Sequence, residues 1–319
     1  MNISSLSRLF KPKSSDAGLL AIGLAADGIY LAQVLFNGAK PRVVRCDYVE
    51  SGSASVEVLA HLHREYELGN PVCTTLLAPG EYQMLLVESP GVPDSELKTA
   101  IRWKIKDSLT YPVDDATVDV LQIPVNKNRV DQRPQSLYAI ASPNPTIQKR
   151  MSLFEDAGFE LAVIDIPETA QRNIAALFEQ KDRALALLAF DEMGGLLTFT
   201  ADGELYLSRR IEITAGQLAD ANENLRAQYR DRVELELQRS LDYFDRQFNY
   251  LSLSRVLLSA PEDGTLLALL GAAVGVPVEQ LDLSSVMDIS AVPVLESSEY
   301  ASRVLHTLGA AFRHEVRVK

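Results

Sequence analysis

A chain of 319 residues, 47% hydrophobic and 23% charged, has room for about two globular domains with ordinary cores. Its formal net charge of −12 argues against a nucleic-acid partner, because phosphate contacts need a basic face. The two cysteines, Cys46 and Cys73, sit in apolar strand-like settings, supply no disulfide framework and point to a reducing compartment.

The opening residues MNISSLSRLFKPK lack the apolar core of a signal peptide. Arg8, Lys11 and Lys13 have no acidic neighbour before Asp16 and interleave with Leu6, Leu9 and Phe10. This stretch reads as an unstructured terminus; the other reading is a weak contact with an anionic membrane surface. From Leu19 to Phe36 the chain reads as strand, tight turn through Ala25-Ala26-Asp27-Gly28, and strand, with Asp-Gly a strong hairpin signal. A third strand over Arg42–Val49 and a helix over about Val56–Glu67, capped by Ser55, follow. Strands over Cys73–Leu77 and Met84–Val87 lead to SPGVPDSE, whose prolines and glycine mark a subdomain boundary.

Asp94 is the expected cap of the helix DSELKTAIRWKIKDSL, where Leu97, Ile101, Ile105 and Leu109 draw one apolar stripe. Trp103, the only tryptophan, falls nearly opposite that stripe and must bury against a second surface or stand exposed; the expectation is a buried anchor. Tyr111-Pro112 stops the helix, and strands over Thr117–Ile123 and Leu137–Ala141 follow. A helix to Gly158, a strand over Leu161–Ile166 and a helix over Glu168–Phe178 complete a first lobe.

After a polar joint, Gln180 to Arg183, the order repeats. Ala184–Leu207 holds a second hairpin turning through Met193-Gly194-Gly195, and Glu204–Ile213 a third strand. A long helix carries Leu225, Tyr229, Val233, Leu237, Leu241, Phe244 and Phe248, with Asp242 and Arg246 paired on its other face. Strand Val256–Ser259, helix Thr265–Val274, strand Val278–Leu281 and a closing helix over Tyr300–Phe312 end the pattern. The apolar run Leu266–Val278 is broken by Gly271, Gly275 and Pro277 and is too short to cross a membrane, so the chain is expected to be cytosolic.

This is an α/β architecture of two duplicated lobes. Residues 1–17 form the tail, 18–179 the first lobe with an insertion over about 91–141, and 180–319 the second lobe. A ligand is expected in the cleft between the lobes, beside the two hairpin turns. Metal chemistry is not expected: His61 and His63, two apart on a helix, do not share a face, and CxxC and HExxH strings are absent. No GxSxG or Walker A string marks a catalytic centre.

Four strings in order resemble the PilM/MshI family of type IV pilus and mannose-sensitive haemagglutinin pilus biogenesis proteins, with the MshI branch the nearer. They are ELKTAIRWKIKDSLTYPVDDATVD from Glu96 to Asp119, IDIPETAQRNIAAL from Ile164 to Leu177, LELQRSLDYFDRQF from Leu235 to Phe248, and HTLGAAFRHE from His306. The resemblance implies a two-lobed actin-like, ribonuclease H-like fold with an inserted subdomain in lobe one. It implies a cytoplasmic protein, peripheral to the inner membrane, that binds the N-terminal tail of a PilN-like bitopic partner. The implied groove lies between the lobe-one core and the insertion, with Trp103, Arg102, Tyr111 and Pro112 as candidate walls. A relative, the cytoplasmic part of the type II secretion L protein, would be expected to continue into a transmembrane helix.

The family also implies ATP and Mg in the interlobe cleft, held by an Asp-X-Gly in each hairpin. Aligned on that pattern, Gly23 stands at the first Asp and Ala25 at its Gly, while Tyr30 stands at a frequent Lys. In the second hairpin Ala189 stands at the Asp and Asp191 at the Gly; a one-residue shift restores a weaker match around Asp191 to Gly195. The glycine-rich adenosine strand-end reads Ser259-Ala260-Pro261. The degenerate positions therefore comprise Gly23, Ala25, Asp27, Gly28, Asp191, Gly194, Gly195 and Ala260, and the expectation is a non-catalytic scaffold without a cofactor. The alternatives are an ATP-binding protein whose nucleotide state regulates docking, and a sugar-kinase-type enzyme lacking a placeable catalytic Asp.

Overall fold

The computed structural model describes residues 19–36, 38–66, 72–125, 135–260 and 264–313. The basic tail and residues 261–263 lie outside them.

In lobe one, β1 (Leu20–Leu24), β2 (Gly28–Leu35) and β3 (Arg42–Glu50) form an antiparallel meander. Then α1 (Val56–Glu65), capped by the Ser55 hydroxyl, crosses to β4 (Val72–Leu76), which lies parallel to β1. After the insertion, α3 (Asn144–Asp156) and β8 (Glu160–Asp165) complete a sheet of order β3-β2-β1-β4-β8. The helix α4 (Pro167–Ala176) leads into lobe two. There β9 (Ala184–Asp191), β10 (Gly194–Ala201) and β11 (Glu204–Ile211) repeat the meander. Two helices, α5 (Ala215–Leu218) and α6 (Glu223–Gln247), lead to β12 (Leu253–Ser259), α7 (Gly264–Ala273) and β13 (Val278–Gln280). Their sheet, β11-β10-β9-β12-β13, has the same order as the first. The chain closes with α8 (Ser298–Ala311).

Strand alternation sorts the core into layers. Leu185, Leu187 and Ala189 of β9 face the same cluster as Ala21, Tyr30 and Ala32 of lobe one, a cluster filled by α4 and α8. Ala186, Leu188 and Phe190 face α6 and α7 instead, while Leu20, Ile22 and Leu31 face α1 and α3. β9 is apolar on both faces because each is covered. The two sheets thus sandwich a central helix pair, and outer helices cover both.

That central pair approaches backbone to backbone. A Cβ on Gly309 would stand 2.2 Å from the Ala170 carbonyl oxygen, and Asn173 Nδ2 donates to the Gly309 carbonyl at 3.0 Å. Arg313 Nη1 reaches the buried Asp165 carboxylate at 2.8 Å, tying the end of α8 to the strand that precedes α4.

The insertion is a three-stranded antiparallel sheet, β5 (Gln83–Glu88), β7 (Ser136–Pro143) and β6 (Ala116–Gln122), in the order β5-β7-β6. Strand β5 pairs with β7, so this sheet begins upstream of residue 91 and SPGVPDSE lies within it. The helix α2 (Asp94–Ile105) lays Leu97, Ile101 and Ile105 on one face, against Leu137, Ala139 and Ala141. The opposite face sends Tyr138 into the core of lobe two, followed by Ile123 from the end of β6. Pro93, not Asp94, occupies the N-cap of α2; Asp94 is its first residue, and its carboxylate accepts from Gln122. The regular helix ends at Ile105 and tightens into a 3-10 turn over Lys106–Ser108, ahead of Tyr111-Pro112. On α6, Arg246 donates to the carbonyl of Asp242, not to its carboxylate. Cys46 and Cys73 are free and buried, and burial pushes both thiols up to about 12.

Gly309→Ala tests the helix crossing. Alanine gains about 1 kcal/mol of helix propensity, but the clash is with backbone, which cannot rotate away. Overpacking should win by about 1–2 kcal/mol and lower Tm by at least about 2 °C in a thermal melt. A Tm at or above wild type would refute the close approach.

Candidate functional site

The interlobe cleft is built from the two hairpin turns and the face of α8 that crosses them. In the first turn, Ala25 N–H donates to the Gly28 carbonyl at 2.9 Å. A Cβ on Gly28 would meet Val49 O at 2.5 Å and the Tyr48 ring at 2.6 Å, so glycine serves close packing against β3. Tyr48 caps the turn through its hydroxyl, which donates to the Asp27 carbonyl at 3.0 Å. In the second hairpin, Glu192 and Met193 make the turn, while Gly194 and Gly195 belong to β10. Gly194 has φ +126°, where a side chain is strained, and a Cβ on Gly195 would meet the Phe190 ring at 2.6 Å. These glycines are accounted for by backbone shape and packing.

Gly23, at the position of the family's first aspartate, lies against α8. A Cβ there would stand 2.1 Å from Thr307 Oγ1 and 3.3 Å from Thr307 Cβ, so any side chain at this position requires the Thr307 side chain to turn away or the helix to shift. Ala25 lines the cleft beside it.

The same helix pins both turns. Arg303 donates to Asp27 Oδ2 at 3.1 Å and lies over the Tyr48 ring, 5.4 Å from its centroid. One turn on, His306 Nδ1 stands 3.2 Å from Asp191 Oδ2, and Nε2 stands 3.1 Å from Gln171 Oε1. The fully buried Gln171 shares the two N–H donors of Nε2 among Leu187 O, Leu196 O and Thr198 Oγ1, all within 3.0 Å, and turns its Oε1 to His306. His306 therefore bridges the Asp191 carboxylate and the buried Gln171 amide, with one ring nitrogen facing each. Burial raises the Asp191 carboxyl, but the His306 hydrogen bond and charge, the Met193 N–H and Arg210 outweigh it and hold it below the usual carboxylate value. Asp191 therefore does not point a free negative charge into the cleft.

Between the turns lies a cavity of about 410 Å³, lined by Leu24, Leu77, Pro79, Pro167 and Met193 together with the two ion pairs. A larger recess of about 1040 Å³ adjoins it, sharing Glu192 and Arg303 and carrying Glu296 and Glu299. At the end of β12, Ser259 Oγ bonds Ser302 Oγ at 2.9 Å, and Ala260 just after it is buried. Among the described residues no group of three or more His, Cys, Asp or Glu is placed to hold a metal ion. His61 pairs with Glu65, and His63 packs edge-on against Phe159.

On the insertion, Trp103 is 70% exposed. The expected buried anchor is overturned: the opposite face of α2 packs on the sheet, and among the described residues no second surface covers the indole. Arg102 is committed to structure, donating to Val113 O at 2.6 Å and Ala116 O at 2.7 Å, which folds the segment after Pro112 back onto α2. Tyr111 is half-buried, and its hydroxyl has no hydrogen-bond partner among the described residues. The structure brings Arg102 to the segment that follows Tyr111 and Pro112, and leaves Trp103 open to solvent.

Sequence reasoning missed a network joining all three parts. Tyr82, at the entry to the insertion, donates to Glu168 Oε2 at 2.5 Å. Arg210 of β11 donates to Tyr82 Oη at 2.6 Å and to Glu168 Oε1 at 2.9 Å. Glu168, on α4, is 2% exposed. Burial raises the Tyr82 hydroxyl, reinforced by the Glu168 charge, so it stays a donor. The signal was present in IDIPETAQR: Asp165, Glu168 and Gln171 recur at threes on a helix start that the core pattern buries.

Neither a protein-family model nor a curated protein sequence matches the chain. Among solved structures it is similar to a chain of a PilM–PilN type IV pilus biogenesis complex, with 18% identity over 95% of this chain and 99% of that one, TM-score 0.71. It also aligns with a Bacteroides thetaiotaomicron protein of actin-like ATPase fold and unknown function, at 10% identity over 88% and 96% of the two chains, TM-score 0.48. A third is the cytoplasmic domain of EpsL, an inner-membrane component of the Vibrio cholerae type II secretion system, at 14% identity over 80% and 93%, TM-score 0.45. The first likeness shows the fold: a two-lobed, actin-like α/β duplication. No described helix is long and apolar enough to cross a membrane.

Asp191→Asn tests the second pin. A carboxyl held low in the folded state contributes fully above its unfolded pKa of about 4 and is lost as pH falls through the lower folded value. The variant should lose about 1–3 kcal/mol at pH 7 and show a flatter fall of Tm below about pH 4. An acid limb as steep as wild type would show that Asp191 is not held low.

Proposed function

We propose that the chain is a MshI/PilM-like scaffold of type IV pilus assembly that docks the cytoplasmic N-terminal tail of a PilN-like inner-membrane protein. It would be peripheral to the membrane through that partner. The observation that carries the non-nucleotide part is Gly23 against Thr307: α8 fills the place of the aspartate that would manage a metal and its waters. Arg303 also supplies from inside the protein a positive charge beside the first turn, where Mg would otherwise bring it.

The partner assignment is supported by the likeness, over 95% of this chain, to a chain of a PilM–PilN type IV pilus biogenesis complex, together with the resemblance of the Glu96–Asp119 string. Trp103 is the insertion's exposed aromatic, and tryptophan is enriched among the few residues that dominate interfaces. Arg102 acts by holding the Val113–Ala116 segment, not by touching the peptide. Leu86, on the free edge strand β5, offers a second apolar point. A second reading, nucleotide binding that regulates docking, is favoured by the recess of about 1040 Å³ beside the N-terminus of α7.

Titration of the partner's N-terminal peptide should give saturable binding that Trp103→Ala weakens about tenfold or more. Unchanged affinity would remove Trp103 from the interface, and no binding would sink the docking assignment. Millimolar Mg-ATP should leave Tm unmoved; occupancy at a hundred times Kd would add about 2.7 kcal/mol and a clear upward shift, which would favour the second reading.

A further inference from the structure

Two adjoining cavities meet at the second hairpin turn, and their linings differ in kind. The smaller, about 410 Å³, is walled by Leu24, Ala26, Leu77, Pro79, Pro167 and Met193. Met193 lines it while standing 57% exposed, an apolar side chain left facing water at the tip of the turn. The larger recess holds Glu192, Glu296 and Glu299. None of these three carboxylates has an ion-pair partner among the described residues, and all three residues are exposed.

The cations nearby are already used. Arg303 lines both cavities but holds Asp27, and His306 holds Asp191. Among the described residues no other lysine, arginine or histidine lines either cavity. An anion entering here would lose hydration and meet unpaired carboxylates; a cation would gain partners that the protein leaves free. The apolar walls exclude a ligand that is charged throughout. The chemistry that fits both halves is an apolar side chain next to one or more basic ones.

We propose that these adjoining cavities bind a basic peptide segment that seats one leucine-sized side chain between the hairpin turns and places its neighbouring Lys or Arg against Glu192, Glu296 and Glu299. The apolar end is held by Met193 and the walls formed by Leu24, Leu77 and Pro167. The site is separate from the surface around Trp103, and the assignment does not rest on docking there.

The full-length chain is titrated with three fluorescein-labelled peptides at low ionic strength: Gly-Leu-Arg-Lys-Gly, the same peptide with Gly for Leu, and the same with Glu-Glu for Arg-Lys. The first should bind saturably, and each replacement should weaken it about fivefold or more, the scale of an interface side chain worth 1 kcal/mol. Met193→Asp and Glu192→Lys, both on the exposed turn, should keep the wild-type Tm and each weaken the first peptide by a similar factor. Equal binding of the three peptides would overturn the proposal, as would indifference to both substitutions or no saturable binding. Displacement of the peptide by Mg-ATP that itself binds saturably would also overturn it, because the recess would then accept a polyanion.

Discussion

Helix α8 lies with Gly309 against the backbone of Ala170, and from that contact it runs directly across both hairpin turns. The close crossing sets its height above the two sheets, and the height decides what each residue of its inner face can reach. Thr307 arrives at Gly23, His306 at Asp191 and Arg303 at Asp27. A bulkier residue at 309 would lift the helix and release all three. The central helix pair therefore governs both the core and the cleft, and a backbone approach, which side chains cannot relieve by rotating, is what fixes it.

The two lobes share one strand order, yet their hairpins have diverged towards the same outcome by different routes. In the first, a glycine and the hydroxyl of Thr307 occupy the place of a carboxylate. In the second, a carboxylate is present but is held by a histidine whose other ring nitrogen faces the buried amide of Gln171. Each turn has its aspartate held by a side chain of α8, Asp27 by Arg303 and Asp191 by His306.

Much of the lobe architecture was legible because its signals are local. Alternating apolar residues, Asp27-Gly28 and the Ser55 cap each act within a few positions, and strands and helices appear within a residue or two of where those signals place them. The membership of β5 was not legible, because its partner β7 comes after a helix and another strand. Periodicity placed Trp103 opposite the buried stripe of α2, but whether anything covers that side is a tertiary matter. The degenerate turns could be read from Gly23 and Ala189; that a helix fills the vacated space could not. Nor did spacing reveal which partners Glu168 and Gln171 meet, since those partners lie in other parts of the chain.

The network around Glu168 has a mechanical consequence. One buried carboxylate on α4 grips the entry to the insertion through Tyr82 and the edge of lobe two through Arg210, and Tyr82 and Arg210 also grip each other. Tyr138 adds a second stitch between the same two parts, accepting the Ser208 N–H at 3.3 Å. On the entry side, Arg150 clasps Glu81, whose carbonyl accepts from Ser142, so both strands that lead into the insertion are anchored. A pull applied to the insertion is thus delivered to the central helix and to lobe two together. The protein is braced as a triangle, stiff to load arriving at its appendage.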